Sequence, residues 1–207
     1  MDWAIFHALN DLLQGHGLLG DEVADFSMWS PLLMGIAVVG LWLVARPGTV
    51  SRWKGACASG LASAAVALTV NQVIAQIWFR PRPTDAHPGD AHLLFVSPSA
   101  DPSFPSDHAA AAFALAFAVF FVSRCAGSLL LVAAGAIGLS RVIVGLHYPS
   151  DVLAGLAVGL VCAWAVHAFA QRPLRWMVAL VSRATDPLVR PIWRLVDARA
   201  ARRTATA

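Results

Sequence analysis

Long apolar runs leave this chain few folds to choose from. Segments 26–45, 56–79, 109–122, 127–146 and 152–170 carry very little charge. A helix of about 20 apolar residues crosses the hydrocarbon core of a bilayer. The run at 109–122 is shorter and needs protein around its start. Helix is the only spanning state open to these runs, because segments this long in 207 residues cannot close a barrel. Composition agrees: 58% of the residues are hydrophobic and 13% charged, against roughly 25% charged in an average soluble domain. Run length excludes a soluble α-protein.

Small residues recur inside the runs, among them Gly60, Ala64, Ala65, Gly135, Gly138, Gly155 and Gly159. They let helices approach closely where lipid supplies no hydrophobic force between them. The expected fold is an all-α integral membrane protein. It is a compact bundle of five to six transmembrane helices with interfacial amphipathic helices at both ends. Residues 1–25 form an N-terminal interfacial helix and loop, 26–171 the transmembrane bundle, and 172–207 a basic amphipathic tail. Met1-Asp2-Trp3 lacks the basic start of a signal peptide, so the first span serves as an uncleaved insertion signal.

Charge orients the bundle. With five spans, Arg46, Arg52, Lys54, Arg124 and the arginines from Arg172 to Arg203 share one side. The positive-inside rule makes that side the cytoplasm. The other side keeps Arg80, Arg82 and Arg141 as its cations, with most of the acids. The N-terminus is then outside and the C-terminus inside. Arginine interleaved with tryptophan in the tail suits an anionic inner leaflet. Cys57, Cys125 and Cys162 lie in or beside apolar runs, too far apart for a metal cage, and read as buried thiols. The pI near 9.1 does not indicate nucleic-acid binding, because the arginines form no patch beside stacking aromatics.

Three polar clusters interrupt the apolar runs: Arg80-Pro81-Arg82-Pro83, Pro105-Ser106-Asp107-His108, and Ser140-Arg141 followed by His147 and Asp151. The five-span topology puts all three at the outer end. Ionisable groups at bundle depth are costly and mark function. The second cluster opens a helix, and so does Tyr148-Pro149-Ser150-Asp151. Free N–H groups and the positive dipole end of such a turn favour an anion. Arg82 and Arg141 can each give bidentate hydrogen bonds to phosphate. Taken singly, each element also fits a structural role: interface anchors for Arg80 and Arg82, a helix-start contact for His108, a one-turn pair for His147 and Asp151. Their joint placement favours a phosphate site. His7, His16, His87, His92 and His167 lack such company and fit interfacial or packing roles. Asn71, Gln72 and Gln76 fit inter-helix hydrogen bonds.

Ser140-Arg141, five residues, His147, three residues and Asp151 resemble the third signature of the type 2 phosphatidic acid phosphatase superfamily. Pro105-Ser106-Asp107-His108 resembles its second signature, usually Pro-Ser-Gly-His. Arg82-Pro83 resembles the end of the first, a lysine, six residues, then Arg-Pro. The resemblance runs over about 56–170. Two positions depart from the pattern. The motif lysine is missing, since Ala75 precedes Arg82 by seven residues and Val73 precedes Arg80 by seven. Either Arg80 supplies that charge, or Gln76 gives a neutral contact, or phosphate is held less tightly. Asp107 replaces the usual glycine, a variant similar to the undecaprenyl-diphosphate branch, and a carboxylate there needs a partner such as Arg80 or Arg82.

The resemblance implies a metal-independent membrane phosphatase with no cofactor, working through a phosphohistidine. His147 is the expected nucleophile, with Asp151 accepting a hydrogen bond from its other nitrogen. His108 is the expected general acid. Arg82, Arg141, Ser106 and Arg80 are the expected phosphate ligands, with Asp107 modulating. The implied partners are a lipid phosphate or diphosphate and membrane lipids, and not nucleic acid. The branch implies undecaprenyl diphosphate, converted to undecaprenyl phosphate and phosphate at the outer face of a bacterial inner membrane. Phosphatidylglycerol phosphate, phosphatidic acid and other polyprenyl phosphates are alternatives. A non-catalytic phospholipid-binding or transport protein is the alternative from another class. Such a protein needs polar residues along its span centres, whereas here they gather at one end.

Overall fold

A computed structural model describes residues 1–13, 17–45, 47, 52–94 and 101–205. Arg46 and His16 lie outside the described residues. The elements in order are α1 (Asp2–Asn10), α2 (Gly17–Val44), α3 (Arg52–Ile77), α4 (Pro83–Ala86), α5 (Asp107–Phe120), α6 (Arg124–Ile143), α7 (Pro149–Phe169) and α8 (Gln171–Ala205), with a 3₁₀ turn at Asp11–Leu13. No strand occurs among the described residues. The helices α2, α3, α6 and α7 are long and apolar enough to cross a membrane. The chain is an all-α, multi-pass membrane protein.

The fifth apolar helix, α5, has 14 residues, about 21 Å at 1.5 Å per residue. That is too short to cross alone. It is enclosed by α3, α6 and α7 instead. Its sequence explains this: Ala109, Ala110, Ala112, Ala114, Ala116 and Ala118 are all buried, and small side chains let three neighbours close around one axis. Gly155 and Gly159 on α7 complete the contact. A Cβ at Gly155 would lie 2.8 Å from the Ser106 carbonyl, and one at Gly159 2.8 Å from the Ala110 carbonyl. The α7 backbone therefore rests directly on α5.

Two boundaries differ from the hydropathy reading. α2 starts at Gly17, well before residue 26, and carries Asp21, Glu22 and Asp25 in its first turns. Hydropathy marks where lipid begins, not where a helix does. The tail is one helix, α8, running through Pro187 and Pro191. It docks on the bundle: the Lys54 ammonium is completely buried and donates to Asp186 at 2.5 Å and Ser182 at 3.1 Å. The Trp42 indole donates to Thr185 at 3.0 Å. Cys57 and Cys162 are buried as expected, but Cys125 is exposed at the start of α6.

At the opposite end, α1 lies against α6 and α7. Phe6 is fully buried and packs with Val142 and Tyr148. Asn10 ties the segment down, its amide donating to the His92 and Ile143 carbonyls at 2.8 Å and its oxygen accepting from the His92 N–H. Three of the histidines left without a role have structural partners. His7 meets Asp11 at 2.6 Å, His87 lies 3.7 Å from the Trp3 ring, and His167 lies 5.1 Å from the Phe121 ring.

Candidate active site

Four chain segments bring their polar residues to the α1 end of the bundle. Beyond α3 come Arg80 and Arg82, the latter capping α4 with Pro83 at its first position. Ser106 caps α5, its hydroxyl accepting from the Ala109 N–H at 3.4 Å, so His108 sits in the first turn. Arg141 lies in the last turn of α6. Gly145 then reverses the chain with φ +89°. A Cβ there would lie 2.2 Å from the His92 carbonyl, so glycine is required. His147 follows, and Asp151 secures the start of α7 by accepting from the Tyr148 N–H at 2.8 Å. The Ser106 N–H donates to the Asp151 carbonyl at 3.1 Å, which locks the starts of α5 and α7 together.

His147 is almost fully buried, and its Nδ1 lies 2.8 Å from the Ser103 carbonyl oxygen. A carbonyl only accepts, so Nδ1 carries the proton and Nε2 keeps its lone pair. Asp151 stands one layer back. Its carboxylate is 3.9 Å from His147 Nδ1, outside hydrogen-bond range, which corrects the expected direct contact. It accepts instead from the Ser103 hydroxyl at 2.5 Å. The aspartate therefore holds the serine whose carbonyl orients the imidazole. Burial drives the His147 pKa well below 6.5, and the fields of Arg141 and Arg82 add to the fall against the opposing Ser103 carbonyl. The imidazole is neutral at pH 7.

The cations divide into two kinds. Arg80 donates to Asp151 at 2.6 Å, to Ser150 at 2.7 Å and to Asp2 at 2.7 Å, and lies 3.9 Å over the Tyr148 ring. Burial opposes its charge, but Asp2 and Asp151 outweigh that and raise its pKa. Arg80, expected among the phosphate ligands, is thus paired with Asp151 and Asp2. Arg82 donates to the Asp101 carbonyl at 3.1 Å. Arg141 donates to the Ser27 carbonyl at 3.2 Å and hydroxyl at 3.1 Å, and its buried Nε has no partner. Among the described residues neither Arg82 nor Arg141 has an ion-pair partner. Both act electrostatically on His108 and on His147, and His108 acts on His147. His108 is partly exposed, so the cluster opens beside it.

Asp107 pairs with neither arginine. Its carboxylate accepts from Asn71 at 2.8 Å and Gln72 at 3.1 Å on α3, so the expected pairing is replaced by the inter-helix amides. A small cleft of about 220 Å³ beside the site is lined by Trp78, Arg80 and Phe104.

The model of the PAP2 superfamily matches residues 56–175. The chain belongs to this family. It is 30% identical over 189 residues to undecaprenyl-diphosphatase BcrC of Bacillus subtilis (strain 168), covering 91% of this chain and 94% of that one. It is 46% identical over 95 residues to a lipid A 1-phosphatase of Rhizobium johnstonii, 41% of this chain and 34% of that one. The crystal structure of Aquifex aeolicus LpxE superposes with a TM-score of 0.66 at 22% identity, over 81% of this chain and 94% of that chain. This PAP2 protein is a membrane lipid phosphatase, a hydrolase.

Ser103, Asp2, Ser27 and Tyr148 belong to the cluster without having been legible in the sequence. Asp2 reaches the Ser150 N–H at 3.1 Å and hydroxyl at 2.5 Å across almost the whole bundle sequence. Burial works against its charge, but Ser150 and Arg80 prevail and lower its pKa. Tyr148 carried a local hint in the helix-opening string before Asp151, and Ser103 in its place beside the Pro105 motif. Among the described residues, no group of three His, Cys, Asp or Glu side chains could hold a metal ion.

Proposed function

We propose that this phosphatase hydrolyses undecaprenyl diphosphate to undecaprenyl phosphate and inorganic phosphate through a phosphohistidine, at the extracytoplasmic face of a bacterial inner membrane. One observation carries the mechanism: the Ser103 carbonyl on His147 Nδ1 leaves Nε2 unprotonated and free to attack. Nε2 attacks the terminal phosphorus and the bridging P–O bond breaks. In the free site burial, with Arg141 and Arg82, pushes the His108 pKa down to about 4. The dianionic charge of the bound diphosphate offsets those cations. His108, protonated from solvent on substrate binding, gives that proton to the departing lipid phosphate. His108, now neutral, takes a proton from water as that water attacks the phosphohistidine, and phosphate leaves. Arg82, Arg141, Ser106 and the N–H groups of the first α5 turn hold the equatorial oxygens.

Whole-length similarity to BcrC and the Pro105-Ser106-Asp107-His108 string support the diphosphate substrate. Trp78 and Phe104 supply an apolar wall beside the headgroup for the start of the prenyl tail. Charge asymmetry supports the outer placement.

The test is phosphate release from undecaprenyl diphosphate, phosphatidylglycerol phosphate, phosphatidic acid and lipid A 1-phosphate by purified protein. Wild type is expected to prefer the diphosphate, and His147→Ala to lose at least about 10³-fold on all. His108→Ala is expected to accumulate labelled, acid-labile phosphoenzyme. Release that survives His147→Ala refutes the nucleophile; a preferred phosphomonoester refutes the substrate. An impermeant maleimide is expected to reach the exposed Cys125 only in inverted vesicles. Labelling in right-side-out vesicles refutes the orientation.

A further inference from the structure

The end of the bundle away from His108 and His147 carries a second concave site. A cavity of about 510 Å³ opens between the start of α3, the α5–α6 turn, the end of α7 and the start of α8. Arg52, Ser59, His167, Gln171 and Arg175 are its polar lining, with no carboxylate. Among the described residues neither arginine has an ion-pair partner. Arg52 lies 5.0 Å over the ring of its neighbour Trp53, which leaves its N–H groups available. Gln171 and Arg175 are one helical turn apart and project to the same side. Gly55, also on the wall, leaves the space open, since a Cβ there meets nothing within 4 Å.

The contrast with Lys54 is informative. That cation belongs to the same end of α3, yet it is buried and satisfied by Asp186 and Ser182. The fold neutralises its buried charge internally. It leaves two guanidiniums, the His167 imidazole, an amide and a hydroxyl around a cavity whose lining holds no carboxylate. Arginine forks at a concave surface match phosphate oxygens in geometry as well as charge. The cavity is not a back door of the catalytic cluster: α3 has 26 residues, so Arg52 and Arg80 are separated by about 39 Å of helix.

We propose that this pocket binds a phosphate-bearing anion, the headgroup of an anionic phospholipid or free phosphate. Basic pockets between membrane helices are suited to such headgroups. The inference is independent of the catalytic reading.

The test uses the full-length protein in micelles of a neutral detergent, followed by native mass spectrometry and thermal shift. The probes are short-chain phosphatidylglycerol, a diester with no terminal phosphate to hydrolyse, short-chain phosphatidylcholine, and inorganic phosphate. Phosphatidylglycerol or phosphate is expected to bind saturably and raise the melting temperature, while phosphatidylcholine does not. Binding of phosphatidylglycerol alone identifies a headgroup site; binding of inorganic phosphate with equal effect identifies a free-phosphate site. The Arg52→Gln/Arg175→Gln double variant is expected to weaken binding at least tenfold while keeping phosphatase activity, and Arg141→Gln to leave binding at this pocket in place. Gly55→Leu, which fills the cavity without changing charge, is expected to do the same as the double variant. Binding unchanged in both pocket variants, lost only in Arg141→Gln, or equal for phosphatidylcholine overturns the proposal, as does no binding of either anion.

Discussion

Gly155→Ala tests whether helix contact sets the catalytic geometry. An added Cβ would lie 2.8 Å from the Ser106 carbonyl, 2.9 Å from the Ala109 Cβ and 3.0 Å from the Ala110 nitrogen. Ordinary carbon contacts begin near 3.4 Å, so α5 must retreat by about 0.6 Å. Two of the three atoms are backbone, so no rotamer change relieves them. Overpacking of this kind costs about 1–3 kcal/mol. The displaced turn holds Ser106 and His108, while His147 and Asp151 stay with α6 and α7. A misplacement of about 1 Å can cost about 10²-fold in rate, so 0.6 Å predicts roughly a tenfold loss. The assay is kcat for undecaprenyl diphosphate, normalised to folded protein and paired with a melting curve. Gly159→Ala is a close control, because its Cβ would meet Ala110, Phe113 and Ala114 at 2.8–3.0 Å, a turn farther from His108. It is expected to lower the melting temperature comparably with less loss of kcat. Gly135→Ala, whose Cβ meets nothing, is expected to change neither. Wild-type kcat in Gly155→Ala refutes the reasoning, and so does an equal kcat loss in Gly159→Ala.

Burial pushes the His147 pKa below 6.5 and the proposed mechanism uses its neutral form, so the acid limb of kcat/KM is expected below pH 6.5. Arg82 is one of the cations that lowers it, so Arg82→Gln should move that limb upward in a pH-rate profile, beyond any loss of rate. Ser103→Ala keeps the carbonyl on His147 but removes the hydroxyl from Asp151. Hydrogen bonds to charged groups are worth about 1.5–3 kcal/mol, so kcat should fall about tenfold or more with KM little changed in steady-state kinetics. Lys54→Ala removes the buried cation that meets Asp186 at 2.5 Å, and breaking a buried pair from one side should destabilise by about 3–5 kcal/mol in detergent melts. The Lys54→Met/Asp186→Leu double variant should recover most of that.

What could be read from the sequence follows the length scale of the signal. Apolar runs and charge asymmetry are long-range statistics, and they were enough to put Arg82, Ser106, His108, Arg141 and His147 at one end. Asn71 and Gln72 were legible as inter-helix donors, because amides inside a span have few other uses. Ser103, Ser27 and Asp2 were not. Each is a single polar residue in a loop, a span or the first turn, and its partner lies far along the chain: Asp151, Arg141 and Arg80 respectively. No periodicity points from one to the other. Arg80 and Arg82 are two residues apart with the same chemistry. Only the folded carboxylates around Arg80 separate their roles.

That separation also bears on the missing lysine of the first motif. Arg80 cannot stand in for it as a free cation, because Asp2 and Asp151 both claim its guanidinium. In the proposed mechanism the positive charge that meets phosphate is that of Arg82 and Arg141, supplemented by the first α5 turn. Asp107 sits in that turn, where its charge favours the helix but would repel a substrate. Asn71 and Gln72 resolve the conflict by drawing the carboxylate toward α3. The site therefore separates its charges by helix face. Asp107 is held by amides and Asp2 and Asp151 by Arg80, while among the described residues Arg82 and Arg141 form no ion pair. One of them, Arg141, keeps a buried Nε with no acceptor. A buried unpaired donor costs about 1–3 kcal/mol. Retaining that cost in the free protein makes sense where a phosphate oxygen supplies the missing acceptor on binding.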